Sequence, residues 1–206
     1  MSRFGSDPLE FFNNVYAHTA PWEIDAPQPA MADLVKQFPP SGSLLDLGCA
    51  AGSLAIYLAE LGHPVLGIDF VPTAIEQAQA RLADLPDEVA KRLEFQVADA
   101  QHPAALGRRF GAIFDSGFYH LFDTEDCQRL VEQVSMALLP HGRYYLHEFA
   151  VEFPIPNVPR AIIIEELQAV FGDSKHWLIH SIQPTVFHST VADPTPAVCA
   201  CIEWLD

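Results

Sequence analysis

Short apolar runs bounded by turn residues alternate along this chain with stretches whose apolar residues recur at helical spacing. Leu44 to Leu47, Val65 to Ile68, Leu93 to Val97, Phe110 to Phe114 and Arg143 to Phe149 predict strands. Between them, Ala30 to Phe38 predicts a helix, and so does Ser53 to Leu61, with Leu54, Leu58 and Leu61 on one face. Pro72 opens another helix running to Ala83 through Ile75, Ala78 and Leu82, residues 85–91 read as a linker, and Thr124 caps a helix to Leu139. Pro140-His141-Gly142 is a turn. At the start, Asp7 and Pro8 begin a helix to Ala17, and the proline-rich residues 21–29 exclude regular structure. At the end, a proline loop over residues 153–159 leads to a helix over Ile162 to Phe171. Strands over Trp177 to Phe187 and Ala197 to Trp204 follow, and their short connection predicts antiparallel pairing. The alternation of strand and helix makes the chain α/β.

Length changes this picture little: 206 residues suit a single domain, 1–206, with an N-terminal segment over 1–30 and the α/β core over 31–206. Charge changes it more. With 27 acidic against 11 basic residues the formal net charge is −16, and no basic stripe offsets it, which disfavours nucleic acid and anionic membranes as partners. No apolar run approaches a membrane span, and the first residues, Met1 to Asp7, carry no leader-like apolar stretch. Cys49, Cys127, Cys199 and Cys201 lack metal-site spacing, and Cys199 and Cys201 read as strand core, so the expected location is the cytoplasm. The nine histidines form no H-E-x-x-H or comparable set, and no metal is expected. The pattern sets no oligomeric state.

The candidate chemistry centres on residues 44–69. Asp46-Leu47-Gly48-Cys49-Ala50-Ala51-Gly52 joins the first strand to a helix, and Asp69 ends the next strand 21 residues after Gly48. A strand, glycine loop, helix, strand and terminal acid in that order bind a nucleoside beyond the carboxyl ends of a doubly wound sheet, the acid accepting from ribose hydroxyls. The loop has neither the G-x-G-x-x-G of a dinucleotide site nor the Gly-Lys-Ser/Thr of a P-loop. Its pattern resembles the first motif of the class I S-adenosylmethionine (SAM) methyltransferases. Ala50 stands where that motif usually has glycine, and the expectation is that the position does not need a positive φ. The phrase Pro21-Trp22-Glu23-Ile24-Asp25-Ala26-Pro27-Gln28-Pro29 resembles one found in a small-molecule subgroup related to thiopurine S-methyltransferases and to bacterial quinolone or quinone O-methyltransferases. That subgroup often has Gly-Arg where this chain has Asp25-Ala26.

The resemblance implies a Rossmann-like, mostly parallel seven-stranded sheet with an antiparallel last strand and helices on both faces. It implies SAM as cofactor, S-adenosylhomocysteine (SAH) as product, and a lid made of residues 1–30. The cofactor contacts it implies are Trp22 and Gln28 in the lid; Asp46, Gly48, Cys49 and Gly52 in the loop; Asp69 with Phe70; Asp99 and Ala100 after the third strand; and Asp115 after the fourth. Asp115-Ser116-Gly117-Phe118-Tyr119-His120 resembles the Asp-Ser-Gly-x-Phe-His of the subgroup. A histidine near neutral pKa suits removal of a proton from a hydroxyl or amine, so His120 is the candidate base and Tyr119 a candidate for placing the acceptor. Asp115 and Glu148 fall at neighbouring strand ends, where a divalent ion is a minor alternative. Phe11, Phe12, Trp22, Phe118, Tyr119 and Phe153 should converge over the carboxyl edge and suit a small apolar or aromatic substrate. The leading alternative is a non-catalytic SAM-binding or ligand-binding protein. A nucleotide-dependent oxidoreductase or a methyltransferase acting on protein follow behind.

Overall fold

The computed structural model of the chain describes residues 4, 7–155, 157–172 and 175–206. Most of the opening stretch read for a leader (1–3, 5 and 6) and Pro156 of the proline loop lie outside the described residues.

Helix α1 (Pro8–Tyr16) starts where Asp7 accepts the Glu10 amide at 3.0 Å. Proline occupies the first turn of α1, of α2 (Pro29–Gln37) and of α4 (Pro72–Arg81), where its fixed φ suits the helix and its missing N–H is not needed. The central unit is β1 (Leu44–Leu47), α3 (Ser53–Glu60) and β2 (Val65–Asp69), all nine strand residues being buried. After α4 come a short helix α5 (Asp87–Ala90) inside the expected linker, β3 (Leu93–Val97), β4 (Phe110–Ser116), α6 (Thr124–Ala137), β5 (Leu138–Phe149), α7 (Ile164–Phe171), β6 (Trp177–Phe187) and β7 (Thr195–Trp204).

These strands form one seven-stranded sheet in the order β3-β2-β1-β4-β5-β7-β6. The first five are parallel, and β7 runs antiparallel to both β5 and β6. The order reverses between β1 and β4, so Leu47 and Asp115 lie side by side at the point where such sheets bind ligands. One face of the sheet packs on α6 and α7 through Leu130, Val134, Leu167 and Phe171. The other face packs on α2, α3 and α4 through Leu34, Leu58 and Ile75, with Cys199 and Cys201 in the same layer. A third apolar cluster gathers Phe12, Tyr16 and Ala20 of the N-terminal segment onto Ala50, Val71 and Ala74 above the carboxyl edge, with Trp22 and Phe70 against it.

Two local expectations are corrected. Leu61 is half exposed, because α3 ends at Glu60 and its buried set is instead Leu54, Ala55, Ile56, Leu58 and Ala59. The turn at 140–142 is a bulge within a longer β5: Leu138 pairs Phe110, Arg143 pairs Ala112, and His141 takes a left-handed φ of 62°. Burial of Leu138 draws the strand back past the turn residues.

Candidate functional site

Gly48 and Gly52 both have positive φ, 60° and 83°. A Cβ on Gly48 would lie 2.8 Å from the Phe118 ring, and one on Gly52 would lie 2.6 Å from Phe95, so the loop is tightly enclosed as well as left-handed. Ala50 also has a positive φ, 53°. The expectation of an ordinary backbone there is corrected: the loop needs the left-handed turn at three positions, and at one of them a methyl group carries the strain while packing under the N-terminal segment.

The loop amides are taken up by nearby groups. Cys49 donates to the Ile68 carbonyl, Ala50 to Asp69 Oδ2 at 3.1 Å, and Ala51 to Glu23 Oε1 at 3.1 Å. Asp69 Oδ1 accepts from the Val71 amide at 2.9 Å, so each of its oxygens retains lone-pair capacity. Burial raises the Asp69 pKa, against the pull of the Val71, Ala50 and Phe70 amides. Burial pushes Asp46 well above the usual carboxylate range, with Asp115, Asp69 and Glu23 adding repulsion, and its Oδ2 has no hydrogen-bond partner. A buried, unmet acceptor among several acids suits a cationic ligand with donors. The donor set therefore fits SAM, whose sulfonium and ammonium are cationic and whose ribose offers hydroxyls.

Glu23 was not among the sequence candidates, although it stands inside the Pro-Trp-Glu phrase. Besides Ala51 it reaches the Ser53 hydroxyl at 3.3 Å, and Arg81 completes the group with bonds to Ser53 Oγ and the Ala51 carbonyl. Trp22 packs edge-on to Phe12 and Tyr16, and Phe12 in turn meets Phe70.

Several candidates have other occupations. Gln28 uses its whole amide on the backbone of His188: Nε2 donates to the carbonyl and Oε1 accepts from the amide, both at 2.9 Å. It staples the N-terminal segment to the β6–β7 connection. Asp99 is exposed and holds a turn, accepting from the Gln101 amide and pairing with His102, while Ala100 beside it is buried. Cys49 buries its thiol in the layer beneath β2, where Sγ donates to the Ala50 carbonyl at 3.7 Å.

Asp115 is fully buried. Oδ1 accepts from the Phe118 and Tyr119 amides, Oδ2 from the Tyr144 hydroxyl at 2.6 Å, and its carboxyl abuts that of Glu148. With its oxygens met from within the chain, it shapes the loop after β4. Tyr119 is corrected: its ring lies in the core under Arg160, which also pairs with Glu166, and burial raises its phenol further from ionisation.

His120 Nδ1 lies 2.9 Å from Glu148 Oε2, and its backbone amide donates to the same oxygen. Burial pushes the imidazole down to about 3 and Glu148 up to about 8, so at neutral pH the ring is uncharged and the Asp115–Glu148 pair holds a proton. Glu148 Oε1 is buried without a hydrogen-bond partner. Around His120 stand Phe149, stacked at 5.0 Å, and Phe187, with Phe153 edge-on to Phe149. His147 stacks on Phe187 at 4.7 Å. The expected aromatic wall thus forms, but from β5, β6 and the loop after β5, while Phe11 and Phe12 belong to the N-terminal cluster.

Comparison with known proteins agrees with this arrangement. A family model described as a methyltransferase domain matches residues 44–142. The chain is 33% identical over 167 residues to a 2-heptyl-1-hydroxyquinolin-4(1H)-one methyltransferase of Mycobacteroides abscessus, covering 80% of this chain and 71% of the relative. It is 27% identical over 157 residues to a probable thiol methyltransferase of Arabidopsis thaliana, covering 75% and 67%. Among solved structures, a protein studied for the conversion of a disulfide bond into a thioacetal group during echinomycin biosynthesis superposes with a TM-score of 0.79. The identity there is 26%, over 96% of this chain and 93% of that one.

Proposed function

The chain belongs to the class I SAM-dependent methyltransferases, and from that premise we propose that it methylates O, S or N of a small aromatic molecule held against the wall formed by His120, His147, Phe149, Phe153 and Phe187. That wall, beside the glycine loop at the sheet's carboxyl edge, is the observation that carries the reading. When bound, SAM supplies an activated methyl group for in-line displacement, so the protein's task is orientation and control of one proton. Gly48, Ala50 and Gly52 bend the loop to admit the cofactor. Asp69 is assigned to the ribose, Asp46 and Glu23 to the cationic groups, Trp22 and Phe70 to the cover, and the Ala100 backbone to the base. His120 Nδ1 accepts from the Phe149 amide at 3.2 Å, which leaves the ring hydrogen on Nε2, so His120 is assigned to placing the acceptor and not, as expected, to removing its proton. A low-pKa thiol or phenol needs no such step.

The relatives' names suggest acceptors, and 2-heptyl-1-hydroxyquinolin-4(1H)-one and aryl thiols head the panel to be tried. Four buried free thiols suit a reducing compartment, and we assign the enzyme to the cytoplasm as a single domain. Among the described residues no helix is long and apolar enough to cross a membrane.

Calorimetric titration with SAM and SAH tests the cofactor assignments. Wild type should bind both, and Asp69→Ala should weaken SAM at least about tenfold, the cost of losing a charge-assisted hydrogen bond. Unchanged affinity in that variant would refute the ribose assignment, and a wild type that binds SAM yet methylates no phenol, thiol or hydroxyquinoline would refute the acceptor class.

A further inference from the structure

We propose that His147 is an acceptor-binding residue whose Nδ1 takes a hydrogen bond from the O–H, S–H or N–H that the reaction methylates. The inference rests on the aromatic-acceptor reading above and gives that site a second imidazole.

His147 lies near the carboxyl end of β5, in register with Ser116 of β4 and Cys199 of β7, and it is fully buried. Its Nε2 is 3.2 Å from the Val186 carbonyl oxygen. A carbonyl oxygen only accepts, so the ring proton sits on Nε2 and Nδ1 is left with a bare lone pair. Nδ1 has no hydrogen-bond partner. Burial holds the imidazole down to about 4, so the ring stays neutral and Nδ1 stays an acceptor at neutral pH. An acceptor hidden from water without a donor is costly, and such groups in native folds call for a reason. No described set of His, Cys, Asp or Glu side chains gathers a metal site that would use it.

The cover over His147 is tied to the N-terminal segment. Phe187 stacks on its ring, and Phe149 packs against Phe187 at 4.6 Å. The next residue, His188, is bound at both backbone groups by Gln28, and Thr190 donates its amide and hydroxyl to the Pro21 carbonyl. The cover over His147 and the N-terminal segment therefore form one unit, and lifting that unit opens the aromatic wall. With Phe187 drawn aside, an acceptor at the edge of the imidazole can bring its donor into the ring plane at Nδ1.

The chemistry follows from the fixed tautomer. Nδ1 recognises only an acceptor that still carries its hydrogen. Methylation of a hydroxyl, a thiol or a nitrogen with one hydrogen replaces that hydrogen, so the product forfeits the bond that the substrate made, and a site built to bind a donor rejects the analogue that lacks it. His147 thereby separates substrate from product at the atom that reacts.

The test uses 2-naphthol and its ether 2-methoxynaphthalene, titrated into the SAH complex, with SAM titration of each variant as control. Wild type should favour the alcohol by about tenfold or more. H147Q, which retains a donor toward Val186 but has no acceptor at the δ position, should bind both within about twofold, with SAM affinity unchanged. H147N, whose amide oxygen can stand in for Nδ1, should recover most of the preference. Should H147Q fail to bind SAM, H147N decides: a retained preference supports the inference and a lost one overturns it. Equal binding of the two compounds by wild type, or a preference kept in H147Q, overturns it. A wild type that binds SAM but neither compound overturns the aromatic-acceptor reading and this inference with it.

Discussion

At the scale of single residues, Glu148 makes the sharpest prediction. It is sealed against Asp115 and the His120 amide and imidazole, and burial pushes it up to about 8 in the folded chain. An unfolded glutamate titrates near 4.3, so between those values the folded state holds a proton that the unfolded state has lost. Its contribution to stability is full below the unfolded pKa and is lost as pH rises toward 8. His120 and His147 work in the opposite sense, at about 3 and about 4 against an ordinary value near 6.5: their contribution is present above that value and is lost as pH falls. Above about pH 6.5 the histidine effects are spent, and the raised carboxyls, Glu148 with Asp115 and Asp46, all act in one direction. Wild type should therefore lose about 1–2 kcal/mol of unfolding free energy between pH 6.5 and 8, the proton being shared with Asp115 and counted once. Glu148→Gln should flatten that slope whatever its absolute stability, as urea denaturation at the two pH values will read. An unchanged slope would mean that the proton resides elsewhere. The approach of Asp115 to Glu148 was legible from their neighbouring strand ends, but the place of His120 beside them was not, because it depends on the loop after β4 folding back onto β5. The grouping of Asp46, Gly48, Gly52 and Asp69 was legible, since two neighbouring strands and the loop and helix between them hold these residues together locally.

At the scale of elements, the boundaries of most helices and strands follow from apolar spacing and proline, as in α1, α4 and β2, where local signals and tertiary burial agree. The β5 bulge escaped because burial of Leu138 overrode the turn residues. The N-terminal segment was legible as an irregular cover, but its anchor was not: Gln28 and His188 are 160 residues apart, and a contact at that separation leaves no periodicity. That anchor can be tested. Gln28→Ala removes two buried hydrogen bonds and should loosen 20–28 and 187–190 together, raising amide exchange there about tenfold or more while β1, β2 and β4 keep their protection. Loosening of the N-terminal segment alone would show that the two parts do not move as a unit.

At the scale of the molecule, the net charge of −16 acts in two directions at once. Self-repulsion of 27 acids against 11 bases destabilises the compact state, and salt screens it. The same field favours a ligand that carries positive charge on sulfur, and Asp46, Asp69 and Glu23 concentrate it at the glycine loop. SAM and SAH differ in that charge and in one methyl group, so they report the field directly. Raising salt from about 20 to 200 mM should raise the melting temperature by about 2–5 °C and weaken SAM binding about threefold, with SAH affinity nearly unchanged. Thermal melts and paired titrations separate the effects. If SAM and SAH weakened equally, the acids at the loop would be acting through hydrogen bonds common to both ligands, and their cluster would serve to hold the loop instead of selecting the sulfonium.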